Sequence, residues 1–192
     1  MTKHRHFILN KPYGYLSLFV YNQTGRKKTK LLGAFYDFPD KTMAIGRLDE
    51  KSEGLLFLTT DGKVSEQVRS KSVEKEYYVQ VDGLITDTAL NLLQSGVEIG
   101  VDGEKYTTLP GKAFRLEPKP DFPERSRRVR DDRHGPTSWV SISITEGKFR
   151  QVRKMTSAVG FPTLRLIRVR IGEISLGDLT DGEVREVDDL TI

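Results

Sequence analysis

YYVQVDGLITDTALNLLQSGVEIGVDGEKY, residues 77–106, contains the patterns of a strand, a helix and a hairpin in succession. Residues 77–81 are rich in tyrosine and valine, which favour strands, and an Asp-Gly turn follows them. Residues 86–95 carry apolar side chains at helical spacing, with Thr86 or Asp87 able to cap the start and Gly96 able to end the helix. Residues 97–106 predict a hairpin around Asp102-Gly103. Isolated helices between strands and hairpins are typical of an α+β fold and not of regular βαβ winding.

The rest of the chain continues this mixture of strands and short helices. The patterns predict strands at 7–9, 55–60, 139–145 and 164–174, helices at 63–70 and 149–158, and a polar, basic loop at 22–30. Together they predict an α+β domain in which a mixed, mainly antiparallel sheet is flanked by helices.

Residues 117–138 differ in composition from the rest of the chain. EPKPDFPERSRRVRDDRHGPTS contains several prolines, few large apolar residues and six lysine or arginine side chains. Such a segment predicts a long exposed loop inserted into the domain. Its arginine-rich part, residues 125–130, can reach RNA phosphates. A solvated loop also explains the run, because Asp131 and Asp132 cancel part of its charge.

Composition excludes several classes of protein. The 192 residues include no cysteine, so disulfides, thiolate catalysis and cysteine-based metal sites are excluded. Hydrophobic residues make up 36%, enough for a core, but no apolar run is long enough for a membrane span or a secretory signal. The three histidines are too scattered for a metal site, and no nucleotide-binding or serine-hydrolase motif is present. We therefore expect a globular cytoplasmic protein without metal or cofactor.

Gly46-Arg47-Leu48-Asp49 is the first candidate for a reactive site. Glycine lets a ligand approach the backbone, arginine binds phosphates or keeps a carboxylate charged, and aspartate can act as nucleophile, base or metal ligand. An ordinary surface loop with a local ion pair would show the same residues. Taken alone, this segment leaves both interpretations open.

Two further segments carry residues that suit RNA chemistry. In Lys75-Glu76-Tyr77, the tyrosine can stack on a base or exchange a proton, although tyrosine is also common in ordinary strands. EGKFRQVRK, residues 146–154, has four basic side chains near the predicted start of a helix, which suits phosphate binding. A solvated helix face explains that charge as well.

These segments are far more specific in combination than singly. The motifs, in chain order, are NKPYG at 10–14, GRLD at 46–49, SEGLLFLTTDG at 52–62, KEY at 75–77 and EGKFRQVRKM at 146–155. The series resembles the RsuA-type family of ribosomal RNA pseudouridine synthases over nearly the whole chain. FPTLRLIR at 161–168 and the basic insertion resemble the large-subunit pseudouridine synthase E branch of that family. The resemblance implies the pseudouridine synthase fold, with a central catalytic cleft.

The resemblance also implies roles for individual residues. Asp49 matches the catalytic aspartate, a nucleophile that acts on a uridine flipped out of the RNA. Tyr77 matches the tyrosine that packs on the flipped base, and Arg153 matches the basic residue that pairs with the catalytic carboxylate. Arg47 matches the arginine beside the nucleophile that helps to hold the RNA. No cofactor is implied.

The implied substrate is 23S ribosomal RNA or its precursor particle, bound by a monomer. The residues expected to grip it are Arg47, Lys11, Lys148, Arg150, Lys154, Arg125, Arg127, Arg128 and Arg130. We expect one catalytic domain over residues 1–192, without the N-terminal S4-type RNA-binding domain of many family members, because the first motif begins at Asn10. The catalytic domain must then find its RNA alone.

Two other functions stay open on the sequence. A non-enzymatic RNA-binding protein, such as a ribosome assembly factor, would explain the basic segments without needing Asp49. A hydrolase that pairs Asp49 with Glu50 or Glu53 would cleave its substrate and leave the basic surfaces unused. Isomerisation differs from hydrolysis because it leaves the mass of the RNA unchanged.

Overall fold

The computed structural model describes residues 3–21, 29–69, 73–130 and 132–190. Its strands are β1 His6–Lys11, β2 Met43–Ile45, β3 Glu53–Thr59, β4 Lys75–Asp82, β5 Glu98–Val101, β6 Glu104–Thr107, β7 Lys112–Arg115, β8 Thr137–Ile144, β9 Thr163–Ile171, β10 Ile174–Ser175 and β11 Val184–Val187. Its α-helices are α1 Gly62–Arg69, α2 Asp87–Ser95 and α3 Gln151–Ala158, and short 3-10 turns lie at Leu32–Ala34 and Asp132–His134. The predicted α+β class, a mixed sheet with helices, is confirmed.

The chain forms two compact units, and the first comprises the described residues up to Val73 and from Arg168 onward. In it β1 pairs antiparallel with β11 on one side and β3 on the other, and β2 also pairs with β3. Both β1 and β3 are buried along their whole length. Burial of both faces explains why the sequence of β3 reads as an unbroken apolar run, LLFL, and does not alternate.

The second unit runs from Glu74 to Ile167. Strand β8 lies between β4 and β7, antiparallel to both, and β5 and β6 form the predicted hairpin. Helix α2 begins as predicted, with the Thr86 hydroxyl accepting a hydrogen bond from Ala89 N–H at 3.2 Å. It ends at Gly96, whose φ of 101° is a conformation that side chains rarely allow.

Several predicted boundaries are wrong. Helix α3 starts at Gln151 and not at Phe149, because Arg150 adopts a left-handed conformation with φ of 52°. Strand β8 starts at Thr137, which shortens the insertion before it. The predicted strand at 164–174 divides into β9 and β10. Strands β2, β7 and β11 were not predicted, since each is only three or four residues long and partly exposed. Most of the predicted loop at 22–30 lies outside the described residues.

The insertion packs partly onto its own unit. The ring of Phe122 lies 6.2 Å from that of Tyr78 and 5.9 Å from that of Trp139, measured between centroids. The guanidinium of Arg165 covers the same ring at 5.8 Å. The long exposed loop predicted for residues 117–138 is therefore packed onto its unit in part, through Phe122.

Candidate active site

The loop after β2 carries the predicted nucleophile, Asp49. A serine from another loop holds the backbone of the residue before Asp49. Ser17 Oγ accepts a hydrogen bond from Leu48 N–H at 3.0 Å and donates one to the Leu48 carbonyl at 2.8 Å. Both Ser17 and Leu48 are buried, so water does not compete for these bonds. The residue before Asp49 is thus fixed through both of its backbone polar groups.

The backbone after Asp49 is fixed as well. The N–H of Gly14 donates to the Glu50 carbonyl at 2.7 Å, and the N–H of Ser52 donates to the Asp49 carbonyl at 3.0 Å. Asp49 itself is half-buried, which suits a carboxylate that must meet a substrate. Arg47 is exposed, as the RNA contact predicted for it requires.

Lys11 is fully buried in the same unit. Its Nζ donates to the carbonyls of Pro12 at 3.0 Å and Tyr15 at 2.9 Å. Burial lowers the pKa of Lys11 to about 7, although the carboxylates of Glu53 and Asp49 favour the charged form. A neutral amine carries two hydrogens, so it can satisfy both carbonyls without a buried charge.

The burial of Lys11 argues against the RNA contact predicted for it. A side chain with no accessible surface cannot reach a phosphate. Its two hydrogen bonds instead fix the turn at residues 12–15. Because Gly14 in that turn binds the Glu50 carbonyl, Lys11 supports the loop of Asp49 from within the unit.

Tyr77 lies on β4 in the second unit, opposite Ile142 of β8. Its side chain is only 9% exposed, so a base can contact only a small part of the ring. The neighbouring carboxylate of Glu76 is held by the Ser141 hydroxyl, which donates to it at 2.8 Å. The side chain of Tyr77 is therefore packed within the pair of strands β4 and β8.

The basic residues of α3 line an open pocket of about 440 Å³ in the second unit. Arg150, Arg153 and Lys154 contribute to its walls, together with Gly100 of β5 and Ser157. Lys154 Nζ donates to the Gly100 carbonyl at 2.6 Å, which ties the helix to the hairpin. Three cations around one concave surface suit an anion such as an RNA phosphate.

A buried carboxylate organises the loop that precedes α3. Glu146 accepts hydrogen bonds from the Tyr106 hydroxyl at 2.5 Å, from Leu109 N–H at 2.8 Å and from Gln151 Nε2 at 2.6 Å. The bond to this carboxylate raises the pKa of the Tyr106 hydroxyl. Gln151 also accepts from Lys148 N–H at 2.9 Å. The sequence assigned no role to Glu146 within its motif, since a single glutamate before a glycine carries no signal of burial.

The arginines of the insertion fall into two groups. Arg127 and Arg128 are exposed, as their predicted RNA contacts require. Arg130 is bound to Asp82 and donates to the His134 carbonyl at 2.5 Å. Arg125 donates to the Arg127 carbonyl at 2.5 Å. Arg125 and Arg130 therefore have structural contacts that an RNA would have to compete with.

The described residues show no group of three or more histidine, aspartate or glutamate side chains that could hold a metal ion. Among the same residues, no helix is long and apolar enough to cross a membrane. Asp49 and Arg47 belong to the first unit, and Tyr77 and Arg153 belong to the second.

The comparison with known families decides what kind of protein carries these features. Residues 5–158 match the family described as RNA pseudouridylate synthase. The chain belongs to the RNA pseudouridine synthases. It is therefore an isomerase, and the expected family is confirmed. This result disfavours both the non-enzymatic and the hydrolase interpretations.

Individual RNA pseudouridine synthases are similar to the chain over nearly all of its length. It is 45% identical to the ribosomal large subunit pseudouridine synthase E of Vibrio parahaemolyticus, over 94% of this chain and 72% of that protein. It is 44% identical to the protein of the same name from Xanthomonas campestris, over 95% and 94% of the two chains. A crystal structure of a pseudouridylate synthase matches with a TM-score of 0.73 and 28% identity, covering 97% of this chain and 71% of that one.

Proposed function

We propose that this enzyme converts a specific uridine of 23S (large-subunit) ribosomal RNA into pseudouridine. Support comes from the relatives named ribosomal large subunit pseudouridine synthase E, which match 90% or more of the chain. We further propose that it works as a cytoplasmic monomer, on the RNA or on its precursor particle, within one catalytic domain.

The observation that carries the catalytic assignment is the fixed backbone on both sides of Asp49. Leu48 is held by Ser17, and Glu50 is held by Gly14. A nucleophile gains most from being held near its attack geometry before the substrate arrives. Asp49 combines such a backbone with a half-buried side chain, so it is our proposed nucleophile.

The proposed reaction changes connectivity but not composition. Asp49, ionised, either attacks the nucleoside, forming a bond that breaks again when the base reattaches, or removes the C2′ proton to give a glycal-type intermediate and returns that proton when the C1′–C5 bond forms. The N1–C1′ bond of uridine breaks, the base rotates, and a C1′–C5 bond forms. The proton on C5 is then lost, and N1 regains a proton, so the RNA keeps its mass.

The uridine must leave the RNA stack before Asp49 can reach it. Flipping a base costs a few kcal/mol, which phosphate contacts and stacking offset. We propose that Tyr77 packs against the flipped base. We propose that Arg153 is the cationic partner of the reacting carboxylate. Arg47, Lys148, Arg150 and Lys154 are proposed to bind phosphates, together with the exposed Arg127 and Arg128 of the insertion.

The test is pseudouridine formation in unmodified large-subunit ribosomal RNA labelled in its uridines. Wild type should form pseudouridine in RNA of unchanged mass, and Asp49→Asn should form none while binding the RNA as well as wild type does. Asp40→Asn, which changes an exposed aspartate of the same unit, is the matched control and should stay active. If Asp49→Asn were as active as Asp40→Asn, Asp49 would not be the nucleophile. A folded wild type that binds RNA and precursor particles but forms no pseudouridine would reject the proposed substrate.

A further inference from the structure

Phe149 is exposed although the helix that follows it, α3, begins with the buried residues Gln151 and Val152. Its side chain is 68% exposed, compared with 50% for Phe114 on β7. Burial of an aromatic ring stabilises a fold, and an exposed ring does not contribute this free energy. A large exposed apolar side chain therefore often marks a binding surface. None of the hydrogen bonds described around it requires an aromatic side chain at this position.

The loop around Phe149 is built to keep the ring in place. Glu146 and Gln151 anchor the loop at its two ends, and Lys148 N–H is bound to the Gln151 side chain at 2.9 Å. Arg150, with φ of 52°, makes the turn into α3 immediately after the ring. A non-glycine residue in this conformation persists only where its surroundings enforce it. The backbone on both sides of Phe149 is therefore held in place by the loop.

A cation lies at one face of the exposed ring. Lys154 Nζ lies 5.4 Å from the centroid of Phe149, and Lys148 Nζ lies 4.7 Å from that of Tyr106. Arg150 and Lys154 also line the open basic pocket beside α3. A ring with a cation at one face can still accept a flat partner on its other face. This pattern of an aromatic ring beside an open basic pocket fits a nucleotide better than an apolar protein surface.

We propose that Phe149 is a stacking platform for one unpaired nucleotide of the substrate RNA. The base stacks on the face of Phe149 opposite Lys154, and the phosphate of that nucleotide lies in the pocket formed by Arg150 and Lys154. The nucleotide is a neighbour of the target and not the uridine that reacts. This inference rests on the proposed function only in taking the substrate RNA as the partner.

The test uses a fluorescein-labelled single-stranded RNA and the same RNA annealed to its complement. Phe149→Ala should weaken single-strand binding about 5- to 150-fold, the loss expected for one stacked base. Phe149→Tyr should bind as wild type, whereas Phe149→Leu, which is apolar but cannot stack, should resemble Phe149→Ala. Phe114→Ala is the matched control and should bind as wild type. Binding to the duplex should be the same for all variants, because its bases are already stacked.

Salt dependence and fluorescence give readouts that do not depend on activity. Phe149 carries no charge, so Phe149→Ala should leave the slope of log affinity against log salt unchanged, while Lys154→Gln should reduce it by about 0.7. The indole of Phe149→Trp should lose fluorescence when single-stranded RNA is added, beyond any change at Trp139 in wild type. The inference would be overturned if Phe149→Ala or Phe149→Leu bound single-stranded RNA as tightly as wild type. It would also be overturned if Phe114→Ala lost as much affinity as Phe149→Ala. Either result would count even if the enzyme forms pseudouridine. Loss of binding on Phe149→Ala with no pseudouridine from wild type would reject the proposed reaction and leave the stacking site standing.

Discussion

Ser17 holds Leu48 through both of its backbone polar groups, with the serine hydroxyl 3.0 Å from the leucine nitrogen and 2.8 Å from the leucine oxygen. Leu48 has no reactive group, but it is bonded directly to Asp49. Two short, buried hydrogen bonds therefore decide where the backbone of the proposed nucleophile lies. The same side chain acts as donor and acceptor, which a hydroxyl can do and a methyl group cannot.

Ser17→Ala is expected to lower kcat by about tenfold or more and to leave the affinity for RNA nearly unchanged. The variant leaves two buried backbone groups of Leu48 without a partner, which costs roughly 1–3 kcal/mol. Part of this cost releases the loop of Asp49 from its attack geometry, and small misplacements reduce rates strongly. Single-turnover assays with saturating RNA measure the effect on kcat directly.

Ser65→Ala is the control for this experiment, since Ser65 is another buried serine of the first unit and lies on α1. Ser17→Ala and Ser65→Ala can both lower the free energy of unfolding. Only Ser17→Ala should change kcat at a temperature where both variants are folded. Equal kcat values for the two variants would mean that Ser17 does not position Asp49.

The burial of Lys11 predicts a pH dependence of stability. The pKa of Lys11 is about 7 in the folded protein and 10.5 in an ordinary lysine. Between these values the unfolded chain binds a proton that the folded chain does not, so the free energy of unfolding rises with pH. One proton corresponds to a slope of at most about 1.4 kcal/mol per pH unit. Below the lower value both states are protonated, and burial of the charge destabilises the fold in full.

Urea denaturation of wild type and Lys11→Met, at about pH 7 and about pH 9, separates this contribution from other titrating groups. Lys11→Met lacks the proton but keeps an unbranched side chain of similar length. It also leaves the carbonyls of Pro12 and Tyr15 unpaired, a cost that does not change with pH. The free energy of unfolding of wild type, relative to that of Lys11→Met, should therefore increase as the pH rises. Parallel pH profiles would show that burial does not lower the pKa of this lysine.

Local patterns in the sequence predicted the elements whose contacts are themselves local. Helix α2 was predicted from a cap at Thr86 or Asp87, from its apolar stripe and from Gly96, all of which act within one or two turns. Strand β3 was predicted from its apolar run. The start of α3 was misplaced, because the conformation of Arg150 depends on contacts made by the loop before it.

The surroundings of the site could be predicted only where they follow from a motif. The motif at 46–49 identified Asp49, but nothing in the sequence marks Ser17 as its support. Arginine side chains are usually exposed. Arg165 and Arg168 are nevertheless buried, and Arg168 donates to the Leu55 carbonyl at 2.8 Å. Buried cations depend on acceptors that the fold brings from distant positions, so a single sequence gives no signal for them.

Gly111 is required because the backbone of β8 passes close to it. A Cβ atom at this position would lie 2.5 Å from the Ser143 carbonyl oxygen. Gly111→Ala should therefore push β7 away from β8 and lower the free energy of unfolding by about 1–3 kcal/mol. Gly100→Ala, where a Cβ atom meets open space, should change it by less than about 0.5 kcal/mol. Thermal and urea denaturation compare the two, and equal stability would contradict the close approach.

The two groups of insertion arginines should respond differently to substitution. Replacing the exposed pair Arg127 and Arg128 with glutamine should reduce the salt slope of RNA binding by about 0.7 for each phosphate that is no longer neutralised. Arg130→Gln should mainly lower stability, and by a modest amount, because it removes the ion pair to the half-exposed Asp82 and the hydrogen bond to the His134 carbonyl. Affinity measured across a salt series, with urea denaturation of each variant, separates these outcomes. A reduced slope for Arg130→Gln without a decrease in stability would show that Arg130 leaves Asp82 to bind RNA.

Glu146 should be needed both for stability and for RNA affinity, because it connects the β6 region to the loop that carries Phe149. Glu146→Ala removes the acceptor of three hydrogen bonds and should lower the free energy of unfolding by roughly 2–4 kcal/mol. Glu146→Gln should be destabilised much less. Its oxygen can still accept from Leu109 and Gln151, and its amide can donate to the Tyr106 hydroxyl, which rotates to accept.

Single-strand RNA affinity should follow the same order, wild type first, then Glu146→Gln, then Glu146→Ala. The exposed glutamate of β6 provides the control, since Glu104→Ala should change neither quantity. Combining Glu146→Ala with Phe149→Ala tests the connection, because a loop that no longer positions the ring has little stacking left to remove. A double variant whose binding defect equals the product of the two single defects would show that Glu146 acts on RNA independently of Phe149.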